Sequence, residues 1–270
     1  MRTVTLFDGT ELPVMGLGTW AMGGRSRPDT SQDERALKAI RAALEIGYTH
    51  IDTAEMYANG HTEELVGQAI RGFDRSKLFL TTKVRPPNLN YKRTLASIDG
   101  SLARLGVDTI DLFLIHWRDG TPLAETFRAL NEAVRAGKIR YLGVSNFDVA
   151  EMKESQELSE TPIVTNQVPY SLTTRSEVQN GVIPYCQANN IVVTAYSPVE
   201  EGQLRVQTVL AEIAAAHNAT PYQIALAWLV QQPWVITIPM SHSPAHLQQN
   251  WDAASITPTP DEMARLDSLG

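Results

Sequence analysis

Ile110-Asp111-Leu112-Phe113-Leu114-Ile115-His116-Trp117 is a short apolar run that stops at an imidazole. Similar runs, rich in Val, Ile, Leu and Thr, recur along the chain and read as strands. They fall near Val14–Thr19, Thr49–Thr53, Leu78–Thr82, Ile110–Ile115, Tyr141–Ser145, Ile163–Asn166, Ile191–Tyr196 and Val235–Ile238. The starts of these eight runs are 35, 29, 32, 31, 22, 28 and 44 residues apart. A strand with its crossover helix takes about 30 residues. The segments between carry helical spacing. Gln32–Glu45 places Ala36, Leu37, Ile40, Ala43 and Leu44 on one face and stops at Gly47. Thr62–Ile70 opens with a capping hydroxyl and two acids. Tyr91–Leu105, Leu123–Ala136, Leu204–His217, Tyr222–Gln231 and Pro260–Leu269 also read as helices, with two of them filling the longest gap. Eight parallel strands with crossovers predict an α/β fold, a (β/α)8 TIM barrel, with a doubly wound sheet as the competing architecture. Val4–Val14 brackets Asp8-Gly9 and predicts an N-terminal β-hairpin that decorates or plugs the barrel.

The bounds agree with one barrel domain over residues 1–270, since such barrels take about 250 residues. Hydrophobic residues make up 43% and charged residues 20%, a globular balance. The net charge of −7 argues against a nucleic-acid or anionic-membrane partner. Cys186 is the only cysteine, so neither an internal disulfide nor a cysteine zinc site can form. No signal-peptide core or membrane-length apolar run is evident, so the cytoplasm is the expected location.

Gly16-Leu17-Gly18-Thr19-Trp20-Ala21 matches the G-x-G-x-x-A dinucleotide pattern. That pattern works only where a helix opens directly after it and turns its N-terminus to the pyrophosphate. Met22-Gly23-Gly24-Arg25-Ser26-Arg27-Pro28 follows instead, which is loop sequence. A strand end and a turn account for it better.

In a (β/α)8 barrel the active site lies at the C-terminal ends of the strands. Successive ends here carry Asp52, Lys83 and His116, with Tyr57 just beyond the first. Each has an ordinary structural explanation alone: a loop cap, a solvated lysine, a core histidine. Together on neighbouring strands they can pair, whereas each buried alone would be costly. A phenol is a poor acid near neutral pH, and a nearby ammonium lowers its pKa. Lys83 can do this for Tyr57, Asp52 can hold Lys83 charged and oriented, and His116 can donate to a carbonyl oxygen. The expected product is a tuned proton donor facing a carbonyl. His116 has no further ligands at local spacing, so no metal is expected.

Ile51–Tyr57, Thr82-Lys83, Leu105–Trp117, Gly143–Phe147 and Asn166–Tyr170 together resemble the aldo-keto reductase superfamily, and the resemblance spans essentially the whole chain. It implies that Asp52, Tyr57, Lys83 and His116 form a catalytic tetrad and that hydride comes from NADP(H) or NAD(H). It further implies that Ser145, Asn146 and Gln167 hold the nicotinamide carboxamide and that Tyr196 stacks on its ring. Ser197 would approach the pyrophosphate, and Ser241 and Asn250 the adenosine end. Trp20 and Trp117 would line an apolar substrate pocket, although barrel packing also explains such tryptophans.

The chain departs from that family pattern at two places. Met240 and His246 stand where a lysine and an arginine usually grip the 2′-phosphate of NADPH, and Val235–Asn250 contains no Lys or Arg. A phosphate dianion favours charge-assisted donors; His242 and His246 can donate, more strongly when protonated. The expectation is a weakened NADPH preference with substantial use of NADH. Arg25 or Arg27, in the first loop, could supply a phosphate contact instead. The sequence also stops at Gly270 after its last helix, and the segment Pro198–Leu204 is short, which together predict an open pocket accepting many aldehydes and reactive ketones. The expected partner is a small carbonyl compound and the expected state a monomer. Two alternatives compete: a nucleotide-binding regulatory barrel with little turnover, and a lyase or isomerase using Lys83 as a Schiff-base amine.

Overall fold

The computed structural model describes residues 1–270. Two short strands, β1 (Thr3–Thr5) and β2 (Glu11–Pro13), pair antiparallel as the expected hairpin, with Val4 opposite Leu12. Gly9 turns the chain at φ +87°, and Asp8 accepts a hydrogen bond from the Thr10 amide at 3.0 Å.

Eight parallel strands follow in sequence order: β3 (Leu17–Gly18), β4 (His50–Asp52), β5 (Phe79–Val84), β6 (Ile110–Ile115), β7 (Ile139–Ser145), β8 (Ile163–Pro169), β9 (Val192–Tyr196) and β10 (Val235–Thr237). The ends of this sheet meet. Met15 bridges Thr237 in parallel, the Gly16 amide donates to Thr237 O at 2.8 Å, and the Thr237 amide donates to Val14 O at 2.9 Å. That closure makes the sheet a barrel and rules out the doubly wound alternative.

The seam also explains the glycines of the dinucleotide-like pattern. A Cβ on Gly16 would lie 2.6 Å from His50 Nδ1, and one on Gly18 would lie 2.4 Å from the Ile238 carbonyl oxygen. Their small size serves barrel closure, and turns rather than a helix follow them.

The helices α1 (Asp33–Ile46), α2 (His61–Ala69), α3 (Tyr91–Leu105), α4 (Ala124–Arg135), α5 (Val149–Leu158), α6 (Ser176–Gln179), α7 (Val182–Ala188), α8 (Thr208–Ala216), α9 (Pro221–Gln231), α10 (Pro244–Ala253) and α11 (Pro260–Asp267) complete the fold. One contiguous apolar core joins them to the barrel. Sequence periodicity did not reveal α5, α6, α7 or α10. In α5 only Met152 and Ser155 are buried, so its apolar stripe is thin. Its capping box, Asp148 with Glu151, was the available signal, as Ser243-Pro244 was for α10.

The hairpin covers the N-terminal end of the barrel. Its tip is tied to β7 by Tyr141, whose hydroxyl donates to Asp8 Oδ2 at 2.6 Å and lies 2.7 Å from Thr10 Oγ1. The opposite, C-terminal mouth is left open. Two strand boundaries also differ from expectation in a way that matters there. β5 continues through Lys83 to Val84, and β8 continues through Asn166 and Gln167 to Pro169. Polar residues end an apolar run in the sequence, but inside the barrel they continue the ladder because they find partners: Lys83 at the end of neighbouring β4, Asn166 at the Phe147 carbonyl beyond β7, and Gln167 across the lumen at Asp52.

No helix is long and apolar enough to cross a membrane.

Candidate active site

Asp52 is the last residue of β4, and Lys83 is the penultimate residue of β5, both fully enclosed. Lys83 Nζ donates to Asp52 Oδ1 at 2.5 Å, to the Thr53 carbonyl at 2.7 Å and to the Tyr57 hydroxyl at 3.4 Å. All three ammonium protons therefore have partners, which is what lets a lysine be buried. The second Asp52 oxygen accepts from Gln167 Nε2 at 2.8 Å, across the barrel from β8. Tyr57 opens a short turn beyond β4, in which Ala58 and Asn59 take left-handed φ values of +46° and +53°. His116 follows β6; its ring centroid lies 5.8 Å from that of Tyr57 and 4.8 Å from that of Trp117. Trp20 packs edge-on against Tyr57 at 4.9 Å. The four ionisable residues singled out in the sequence thus meet at one mouth, with both tryptophans beside them.

The electrostatics correct one expectation. Burial raises the Tyr57 phenol above its ordinary value and outweighs the opposing pull of Lys83. Lys83 acts in the expected direction but does not make the resting phenol acidic. The phenol holds its proton, and the ammonium 3.4 Å away stabilises the phenolate that forms when the proton leaves. For Lys83 itself, burial pulls the pKa down, but Asp52 and Tyr57 more than compensate and the ammonium is held above its ordinary value. A charged, enclosed lysine with every proton engaged is not a free amine, which removes the Schiff-base alternative. His116 is pushed down to about 2, first by burial and then by the Lys83 charge, so its imidazole is neutral. No group of three or more His, Cys, Asp or Glu is arranged to hold a metal ion.

Above these residues lies a cavity of about 1050 Å³. Every site residue read from the sequence lines it except Lys83, which sits behind Asp52 and Tyr57. One wall is a hydrogen-bonded set. Ser145 donates to the Gln167 carbonyl at 2.9 Å, Asn146 Nδ2 donates to the His116 carbonyl at 3.1 Å, and the Tyr196 hydroxyl donates to Asn146 Oδ1 at 3.0 Å. Asn146 and Ser197 both sit at positive φ, +59° and +50°, re-aiming the chain at the ends of β7 and β9. Gln167 has a partner that the sequence did not show: its amide nitrogen is taken by Asp52.

The cavity runs on to the N-terminus of α10, where Ser241, His246 and Asn250 line it. Ser243 caps this helix, accepting from the His246 amide at 3.4 Å, and Pro244 occupies its first position. Met240 is exposed beside it. These groups fit a dinucleotide. Amide and hydroxyl groups converge near the tetrad, an aromatic side chain flanks them, and a helix N-terminus suited to phosphate stands at the far end. The lining contains a single Lys or Arg side chain, Arg25, from the loop between β3 and α1. Arg25 is one of the lining residues that sequence reasoning did not place, as are Met56, Glu201, Thr220, Tyr222 and Gln249, because loops and helix starts offer no periodicity from which to project them onto the mouth.

The model of the Aldo/keto reductase family matches residues 14–270. Methylglyoxal reductase YeaE of Escherichia coli is 40% identical over 268 residues, 97% of this chain and 92% of that protein. A thermostable aldo-keto reductase, Tm1743, solved with the inhibitor epalrestat, superposes with a TM-score of 0.97 at 45% identity, covering 100% of both chains. An aldo/keto reductase from Klebsiella pneumoniae, solved with NADP and acetate, superposes with a TM-score of 0.90 at 38% identity, covering 99% of this chain and 95% of that one.

Proposed function

We propose that this chain, which belongs to the aldo/keto reductase family and reduces aldehydes and ketones with NAD(P)H, takes the proton for that reaction from Tyr57. The observation that carries this reading is the Lys83 ammonium bonded at once to Asp52 and to the Tyr57 hydroxyl, behind the cavity wall that Asp52 and Tyr57 form.

The cofactor, when bound, supplies hydride to the carbonyl carbon. The chain's own residues do the rest. Tyr57 donates its proton to the carbonyl oxygen. Lys83 stabilises the phenolate left behind, and Asp52 keeps Lys83 charged and aimed. Neutral His116 offers a donor for the carbonyl oxygen without adding a competing charge. Ser145, Asn146 and Gln167 would hold the carboxamide, with Oε1 of Gln167 left available by its bond to Asp52. Tyr196 would flank the nicotinamide, and Ser197 would approach the pyrophosphate. Ser241, His246 and Asn250, with the N-terminus of α10, would hold the adenosine end. Trp20 and Trp117 would shape the substrate side. Small reactive aldehydes and dicarbonyls such as methylglyoxal, which the name of the E. coli relative gives as its substrate, suit a mouth walled by aromatic rings.

The first test follows NADH and NADPH oxidation in parallel with methylglyoxal and an activated aromatic aldehyde. Aldehyde-dependent consumption of either cofactor is expected. With Met240 and His246 at the phosphate end and no Lys or Arg between Val235 and Asn250, the two cofactors should differ by less than about tenfold in kcat/KM. A far stronger NADPH preference would show that the phosphate is gripped from elsewhere. Consumption of neither, with nucleotide still bound, would reduce the chain to a nucleotide-binding barrel.

The same reading makes the protein a cytoplasmic monomer without a nucleic-acid partner. It should elute and scatter light as a particle of 29.8 kDa, and a dimer mass would refute the monomer.

A further inference from the structure

We propose that Arg25 is a carboxylate-recognition residue, so that the preferred substrates are carbonyl compounds carrying an anionic group, such as 2-oxo acids and aldehyde-acids. This rests on the reductase reading of the same cavity and deepens it.

Three observations lead there. First, Arg25 is the only lysine or arginine lining a cavity of about 1050 Å³. The charges nearest the chemistry are already accounted for: Asp52 is paired with Lys83 behind the cavity wall, and His116 is neutral. Glu201, the other acidic side chain in the lining, belongs to the loop after β9, beyond Ser197 and Pro198.

Second, the backbone of Arg25 is held beside the Tyr57 segment, with its side chain exposed at the cavity. Its carbonyl accepts from the amide of Ala58, the residue after Tyr57, at 2.6 Å. The turn that carries it is closed by a bridge between Gly24 and Pro28 and by the Asp29 amide donating to Gly23 O at 2.7 Å. Gly24, at φ +118°, has no room for a side chain: a Cβ there would lie 2.1 Å from the Arg27 carbonyl oxygen. The backbone under Arg25 is therefore a fixed turn pinned to the Tyr57 segment.

Third, the guanidinium makes no hydrogen bond or ion pair within the chain, whereas Arg75, Arg104, Arg118 and Arg140 each hold a carboxylate. A planar guanidinium left open at a cavity matches a carboxylate with two parallel N–H donors. A substrate carboxylate docked there would fix its carbonyl end relative to Tyr57.

The test compares 4-carboxybenzaldehyde with 4-carbamoylbenzaldehyde, which are alike in shape and differ in charge. Turnover of the neutral amide by the wild-type protein establishes the reductase reading independently. The quantity read is the ratio of kcat/KM for the carboxylate to that for the amide. In the wild type this ratio should exceed one and should fall as salt is added, because the contact is partly exposed. Arg25→Gln should lower it about tenfold, the scale of one charge-assisted contact, mainly through KM. Arg25→Glu should invert it, and Arg25→Lys should recover part of it. Arg27→Gln, on the same turn but outside the cavity lining, should leave it unchanged. A ratio that Arg25→Gln does not move overturns the proposal. So does a change in Arg25→Gln confined to the dissociation constant of the dinucleotide, measured by tryptophan fluorescence, because Arg25 would then be a cofactor phosphate contact.

Discussion

Tyr57→Phe is expected to lower kcat for carbonyl reduction by about 10²–10⁴-fold, the range carried by a positioned general acid. The ring stays, and with it the packing on Trp20 at 4.9 Å and on His116 at 5.8 Å. Lys83 keeps Asp52 and the Thr53 carbonyl as partners, so the fold has no reason to fail. Dinucleotide affinity, measured by fluorescence titration, should be retained. A variant reducing aldehydes at near wild-type rate would show that the proton comes from elsewhere. The wild-type pH profile follows from the same two groups. Tyr57, raised by burial, holds its proton throughout the neutral range, and activity falls as pH climbs through its elevated value. His116, lowered to about 2 by burial and by Lys83, is already neutral in this range. Neither group therefore titrates between about pH 5 and pH 8, where kcat/KM should be flat. An inflection near the ordinary histidine value of about 6.5 that disappears in His116→Gln would contradict this assignment.

Lys83→Met should damage both rate and stability. It leaves Asp52, 1% exposed, with an uncompensated carboxylate whose remaining donor is Gln167. Breaking a buried pair by removing one partner costs about 3–5 kcal/mol, which urea denaturation would read as a shift in midpoint. The rate should fall by at least about 10²-fold, the scale of losing one preorganised charge. The double variant Lys83→Met, Asp52→Asn should recover much of the stability and none of the rate. Full activity in the double variant would remove the pair from the mechanism. The pH dependence has a definite sign. Because the folded-state pKa of Lys83 is raised, its pairing contributes fully below the ordinary value of 10.5 and is lost only as pH rises through the higher folded value. Stability should therefore show no Lys83-linked change in the neutral range and should decline in strong alkali.

The site was legible because its residues sit at one repeated place in the fold. Asp52, Lys83 and His116 each interrupt or follow an apolar run, and once the runs are read as strands of one barrel the three fall at one mouth. Gln167 was legible only through resemblance, and its bond to Asp52 was not, because 115 residues separate the two. Arg25 had no position at all until the turn Gly24–Pro28 was seen pinned to Ala58.

The sequence by itself determined the strand–helix alternation, the hairpin at Asp8-Gly9, the residue types of the candidate tetrad and the absence of Lys and Arg between Val235 and Asn250. These are local properties: apolar period, turn chemistry and side-chain identity act over a few residues and survive in a linear string. The tertiary structure decided that Met15 and Thr237 close the sheet, that the hairpin seals the N-terminal end, and that Asp52 receives both Lys83 and Gln167. It also decided that burial, not Lys83, dominates the resting Tyr57 phenol. Each of these depends on distance and dielectric between groups far apart in the chain, and those quantities exist only once the barrel has closed.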